Sequence, residues 1–130
     1  MVMSEFNYVP ITRMNRVEIA FFLNSHSKEK IAAALKSAAY WDEDWKWAQD
    51  LLVSYAKDES DDVRWAVATG LGFLAAFHGQ LDLSLVEPIL KEMGGDASLE
   101  ALADIEHFVR NRQAGEDIDL AERLDDNWRP

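Results

Sequence analysis

Apolar residues recur at steps of three and four between Asp62 and Gly79, and this is the clearest pattern in the chain. Such spacing places them along one side of an α-helix. Asp61 or Asp62 can cap the start, because a carboxylate accepts the free N–H groups of a first turn. Gly79 fits the left-handed residue that often ends a helix. The pattern predicts one amphipathic helix with a buried stripe of Val63, Ala66, Val67, Gly70, Leu71, Leu74, Ala75 and His78.

Five further segments show helical spacing, and none shows the sustained alternation of a β-strand. The first, over residues 15–24, uses Val17, Ala20 and Phe21 as its apolar stripe. The next two predicted helices span residues 27–40 and 42–57, and another segment ends at Gly94 and Gly95. The last predicted helix runs through Val109, and Asp96 is its expected cap. The chain is therefore predicted to be all-α, with its helices paired by short turns.

The fifth helix has two possible starts. Ser84 and Glu87 have the spacing of a capping box, which would leave Pro88 close to the first turn, where a missing N–H costs little. If the helix begins at Asp82 instead, Pro88 lies inside it and must kink it.

The length favours one domain spanning residues 1–130, and 48% hydrophobic residues are enough for a core. The absence of cysteine fits a reduced cytosol. The acidic tail at 116–130 can form a short docked helix. Thirteen basic and twenty-four acidic residues give a net charge of -11, which repels nucleic acid and anionic membranes and attracts basic surfaces. We expect a cytoplasmic protein, with a monomer favoured, that binds neither nucleic acid nor membranes directly.

No motif supports a cofactor, a metal or catalysis. Gly70, Gly72 and Ala75 match the letters of a dinucleotide fingerprint, but the preceding strand that this motif requires is missing. Asp104 and His107 share a helical face, yet a zinc site needs three or four ligands. No serine or threonine has a recognisable base nearby in the pattern. The chain is predicted to have no cofactor, no metal site and no enzymatic activity.

Two large aromatics, Trp65 and Phe73, lie opposite the core stripe of the central helix, together with Thr69. Either this helix is buried on both flanks and they belong to the core, or they face a binding partner. Tryptophans also alternate with acids near residue 44, and Trp47 is the one expected at the surface. The candidate partner-binding residues are Tyr40, Asp42, Asp44, Trp47, Asp61, Trp65, Thr69, Phe73, Asp104 and His107.

The helices repeat as pairs, since Leu35, Leu71 and Leu102 hold equivalent places at offsets of 36 and 31 residues. Residues 58–64, Asp-Glu-Ser-Asp-Asp-Val-Arg, resemble the entry to the second helix of a HEAT repeat. This resemblance implies about three stacked hairpins, with Asp61 and Arg64 forming polar ladders between units. The stretch from Gly70 to Asp82, continuing to Pro88, is similar to short bacterial HEAT-like proteins, some of which look like immunity proteins of polymorphic or contact-dependent growth inhibition toxins.

The resemblance and the acidity together favour an immunity protein that blocks a basic toxin domain, such as a nuclease, with an acidic face. A HEAT-like scaffold or adaptor, in which the acids only confer solubility, is the alternative. A lyase-like enzyme is a third hypothesis, which no nucleophile or cofactor motif supports.

Overall fold

The computed structural model describes residues 11–111, and this part of the chain contains six α-helices and no strand. The last α-helix continues as a short π-helical segment, Ile105–Arg110. The all-α prediction is confirmed. The helices are α1 (Arg16–Leu23), α2 (Lys28–Trp41), α3 (Trp45–Ser54), α4 (Asp61–His78), α5 (Leu83–Met93) and α6 (Asp96–Asp104).

The helices pair as three hairpins, α1 with α2, α3 with α4 and α5 with α6. The second helices form one of two layers, in which α4 packs on α2 at one side and on α6 at the other. Their shared core contains fully buried leucines, each of which contributes roughly 1.5–3 kcal/mol of burial free energy. These are Leu35, Leu52, Leu71, Leu74 and Leu90. The predicted stack of HEAT-like hairpins is confirmed.

Helix starts follow local capping rules, although not always at the predicted residue. Asn15 forms a capping box with Glu18, accepting from the Glu18 N–H at 2.8 Å. The cap of α4 is Ser60, whose hydroxyl accepts from the Val63 N–H at 3.4 Å. The prediction that Asp61 or Asp62 caps α4 is therefore wrong, because both lie inside the first turn, where their charge favours the helix dipole. The left-handed end at Gly79 is confirmed, with φ 63°.

The starts of the last two α-helices are also set by residues other than Ser84 and Asp96. Asp82 is the residue before α5, so Ser84 lies inside the helix and donates a hydrogen bond to the Asp82 carboxylate at 2.8 Å. The capping box from Ser84 does not form, and Pro88 lies within α5. Gly95, with φ 87°, precedes α6. The prediction that Asp96 caps α6 is wrong, since Asp96 is already its first helical residue.

The stripe predicted for α1 is wrong. Val17 and Phe21 are 79% and 74% exposed, whereas Ile19 is 2% exposed and packs against Ala34 and Ala38 of α2. Among the described helices, α1 lies at one end of the stack and packs chiefly against α2, so one neighbour decides which side is buried. Its apolar stripe consequently faces away from α2.

Polar contacts between hairpins use residues other than the predicted ladder. Arg64 pairs with Asp61 of the same helix and donates to the Asp58 backbone carbonyl. The ladder implied by the HEAT resemblance is therefore not formed by Asp61 and Arg64. Lys28 instead connects the first hairpin to the loop before α4, at 3.2 Å from the Asp58 carboxylate.

None of the described helices is long and apolar enough to cross a membrane. The predicted helix of the tail at 116–130 lies outside the described residues.

Candidate protein-binding face

The side of the α2, α4 and α6 layer that is turned away from α1, α3 and α5 carries exposed aromatic residues. On α4, Trp65 is 60% exposed and Phe77 is 54% exposed, with Thr69 and Phe73 half-buried between them. Trp65 is therefore not a core residue, although its helix is central. We call this side, defined by Tyr40, Trp65, Thr69, Phe73, Phe77, Asp104 and His107, the aromatic face.

The centre of the aromatic face is a cluster of three rings from two helices. Tyr40 of α2 meets Phe73 and Phe77 edge-on, at centroid distances of 5.4 and 4.9 Å. Phe73 and Phe77 stack at 5.8 Å with an interplanar angle of 20°. Such aromatic pairs contribute about 0.5–1.5 kcal/mol each beyond their buried area, so the cluster is preorganised. The sequence analysis missed Phe77, although its position four residues after Phe73 places it on the same side of α4.

The two flanking helices border the aromatic face with opposite charges. On α2, the Lys36 ammonium lies 5.8 Å from the centroid of the Trp65 ring. On the α6 side, Glu100 and His107 are exposed and Asp104 is half-buried between them. A partner therefore meets one cation beside Trp65 and two carboxylates across the layer.

Asp104 lies at the contact between α4 and α6. A Cβ at Gly72 would lie 3.0 Å from the Asp104 Oδ2, so the carboxylate occupies space that the missing side chain leaves. Burial raises the pKa of Asp104 above its ordinary value, the charge of Glu100 raises it further, and His107 lowers it. Within residues 11–111, Asp104 forms no salt bridge. A half-buried carboxylate without a cation is suited to receive one from a partner.

Three of the predicted site residues lie in a separate network around Arg16 of α1. The Arg16 guanidinium donates to both oxygens of Asp42 at 3.0 and 3.1 Å and lies 3.6 Å from the Asp44 carboxylate. It also covers the ring of Trp47 at 4.1 Å. The Arg16 hydrogen bond holds the pKa of Asp42 below its ordinary value. The carboxylates of Asp42 and Asp44 therefore both lie close to Arg16, and these contacts join α1 to the start of α3.

The expectation that Trp47 is the surface tryptophan of its group is wrong. Trp47 is half-buried beneath Arg16, whereas Trp41 is 39% exposed. The Trp41 indole donates to the backbone carbonyl of Ile11 at 2.7 Å. Asp61, another predicted site residue, lies at the start of α4 with a side chain that is 93% exposed.

The described residues contain no group of three or more histidines, cysteines or acids that could hold a metal ion. Asp104 and His107 therefore form no metal site with a third ligand in this part of the chain.

The fold and the exposed aromatic face define a stack of helical hairpins with a candidate surface for protein recognition. No family model matches the chain, and no curated protein does. A solved structure does: a chain described as "Crystal structure of CDI complex from Cupriavidus taiwanensis LMG 19424" is similar, with a TM-score of 0.69 and 36% sequence identity. The match covers 78% of this chain and 96% of that chain.

At this identity and coverage, the chain belongs to the family of CDI immunity-like proteins, where CDI denotes contact-dependent growth inhibition. The resemblance drawn from residues 58–88 is thereby confirmed.

Proposed function

We propose that the protein is an immunity protein that binds and neutralises the toxin domain of a CDI system through its aromatic face. The observation that carries this proposal is the exposure of Trp65 and Phe77, at 60% and 54%, on the central helix of a CDI immunity-like protein. Large exposed aromatics are the residues that contribute most to binding energy when a partner buries them. Tyr40 and Phe73 hold the Phe77 ring in place before binding.

A basic toxin, such as a nuclease, fits the charge of this chain. The net charge is -11, and Asp104 and Glu100 border the aromatic face. Nuclease clefts are positively charged because they bind phosphates, so an acidic surface can occupy the same cleft. The acids accelerate the encounter, and the aromatic rings slow dissociation. Inhibition by this route requires no catalytic group on the immunity protein.

The direct test uses the toxin domain encoded beside this protein. Titration calorimetry with the purified wild-type chain should show a complex, and the toxin should lose its activity in that complex. Trp65→Ala should weaken binding at least tenfold, which corresponds to about 1.4 kcal/mol. Phe21→Ala is the matched control, because Phe21 is a 74% exposed aromatic outside the aromatic face, and it should leave affinity unchanged. Tight inhibition that is insensitive to Trp65→Ala would reject the aromatic face as the docking surface.

A scaffold or adaptor role is the second candidate. The observation that favours it is the pairing of Arg16 with Asp42 and its approach to Asp44, since the single charge of Arg16 offsets one of these two acids and leaves less negative charge for a basic partner. The two functions differ in how salt affects association. A basic toxin should associate at least tenfold more slowly when NaCl rises from about 50 to 500 mM, because screening removes the long-range attraction. A salt-independent association rate would favour the scaffold.

A further inference from the structure

The amino-terminal end of α6 is a helix start without a side-chain cap. Gly95 precedes the helix and offers no side chain, and no side-chain hydrogen bond caps its first turn. Helix starts leave N–H groups without an intrahelical acceptor, and these groups attract negative charge. Gly94 and Gly95 have φ values of 66° and 87°, and a Cβ at either position would meet nothing within 4 Å. The helix start is therefore open to an approaching group.

Ser98, in the first turn of α6, supplies a second and independent observation. Its side chain is 1% exposed, and its hydroxyl is the one buried side-chain polar atom without a hydrogen-bond partner in the described part of the chain. Ser37 shows the ordinary situation, since that fully buried hydroxyl accepts from the Met14 N–H at 3.0 Å. A buried hydroxyl without a partner costs stability, so the missing acceptor needs an explanation.

Both features border one cavity of about 200 Å³ between α4 and α6, which Ser98 and Gly95 line together with Arg64 and Trp65. Arg64 presents a guanidinium whose partner, Asp61, is 93% exposed. Exposed ion pairs contribute little free energy, so Asp61 can yield its place to another acid. The cavity is thus lined by three kinds of donor, the Ser98 hydroxyl, the Arg64 guanidinium and the N–H groups of the helix start, and by one acid, Asp61, which an incoming carboxylate would replace.

We infer that the start of α6 binds a carboxylate side chain of the partner protein, an aspartate or a glutamate. The inference rests on the proposed function, because the carboxylate is assigned to the toxin. Since Trp65 borders both the cavity and the aromatic face, one continuous surface carries the two sites. The partner then places an acidic side chain at the start of α6 and a basic side chain at Asp104. These two contacts fix the orientation of the partner on the aromatic face.

Ser98→Ala should have opposite effects on the stability of the free protein and on its affinity for the toxin. Removing an unsatisfied hydroxyl should raise the thermal midpoint of the free protein, whereas losing a donor to a carboxylate should weaken toxin binding about tenfold. The matched control is Ser37→Ala, which should lower the thermal midpoint and leave affinity unchanged. An unchanged affinity for Ser98→Ala, or a lower thermal midpoint, would overturn the inference.

Asp61→Asn gives a second measurement on the same site. Removing the competing carboxylate should strengthen toxin binding by about two- to fivefold, the range of an exposed ion pair. A weaker complex would instead assign Asp61 to a basic residue of the partner and contradict the inference.

A titration with sodium acetate keeps the inference separate from the proposed function. Acetate should shift the backbone amide signals of Ala97 and Ser98 in NMR spectra, relative to sodium chloride at equal ionic strength. If these signals move but the wild-type chain does not bind the toxin, the carboxylate site stands and the proposed function fails. If the toxin binds while acetate leaves both signals unmoved, the proposed function stands and the inference fails.

Discussion

The side-chain oxygen of Gln49 accepts a hydrogen bond from the backbone N–H of Asp82 at 2.6 Å, and this contact joins α3 to the start of α5. Gln49 is fully buried, and the Asp82 side chain does not cap the helix that follows. This amide adds a hydrogen bond between the second and third hairpins to the packing of α4 on α6. The sequence alone did not single out Gln49, because its partner lies 33 residues away.

Gln49→Leu should lower the free energy of unfolding by about 1–3 kcal/mol, because it leaves the Asp82 N–H buried without an acceptor. Urea denaturation measures the effect. Gln80→Leu is the matched control at an exposed position and should change stability by less than about 0.5 kcal/mol. Equal effects of the two substitutions would show that the Gln49 contact does not stabilise the stack.

Gly70→Ala should destabilise the protein, although alanine favours helices by about 1 kcal/mol over glycine. The added Cβ would lie 2.8 Å from a methyl group of Leu52 and 3.2 Å from the Cβ of Ala39, both fully buried. Overpacking of this kind costs about 1–3 kcal/mol, so we expect a net loss near 1 kcal/mol in thermal unfolding. In a double-mutant cycle, Leu52→Val should relieve part of that loss. A more stable Gly70→Ala protein would contradict the close packing of α2, α3 and α4.

Asp42→Asn should reduce stability at neutral pH by about 1 kcal/mol, since Arg16 loses its charged acceptor at a partly exposed site. The pKa of Asp42 is lowered in the folded protein, chiefly by the Arg16 hydrogen bond, so the unfolded chain binds more protons. This contribution is fully present above the ordinary pKa of 3.8 and is lost as pH falls through the lower folded pKa. Urea denaturation between pH 7 and pH 2.5 should show the wild type and the variant converging in acid. A difference that widens on acidification would refute this role for the pair.

Asp104→Asn should have the opposite effect on stability. Burial raises the pKa of Asp104, so between 3.8 and the raised value the folded protein binds more protons, and wild-type stability falls as pH rises through that range. The variant should therefore be more stable at pH 7, by at most about 1 kcal/mol, and should bind a basic toxin more weakly. Calorimetry of unfolding and of binding measures the two effects.

Glu43→Gln is the control for Asp104→Asn, because it removes the same charge at an exposed position in the turn before α3. Glu43→Gln should change both the stability at pH 7 and the affinity for the toxin less than Asp104→Asn does. If the two variants weaken binding equally, overall charge explains the loss and Asp104 makes no specific contact.

The sequence predicts α4 well because its apolar spacing and Gly79 agree, and its neighbours on both sides bury all of the predicted stripe except the half-buried His78. It predicts α1 poorly, since Val17 and Phe21 have the spacing of a core stripe, yet a terminal helix has one main neighbour, and Ile19 faces it. Periodicity identifies an apolar side of a helix but does not determine which side the rest of the fold covers.

The candidate site was likewise predictable from the sequence only in part. The row of Trp65 and Phe73 is visible from helical spacing, because aromatics opposite a core stripe are unusual. The contacts of Asp42 and Asp44 with Arg16 are not visible in the sequence, since Arg16 lies 26 residues before Asp42. The number of charged residues can be counted from the sequence, but which of them form ion pairs depends on tertiary contacts.

The most direct test of the central claim is side-chain oxidation footprinting of the complex with the toxin domain encoded beside this protein. Mass spectrometry would compare the oxidation of each aromatic residue in the free and bound chain. Trp65 and Phe77 should become protected on binding, while the more exposed Phe21 should not change. Protection of Phe21, with Trp65 and Phe77 still oxidised, would contradict docking on the aromatic face.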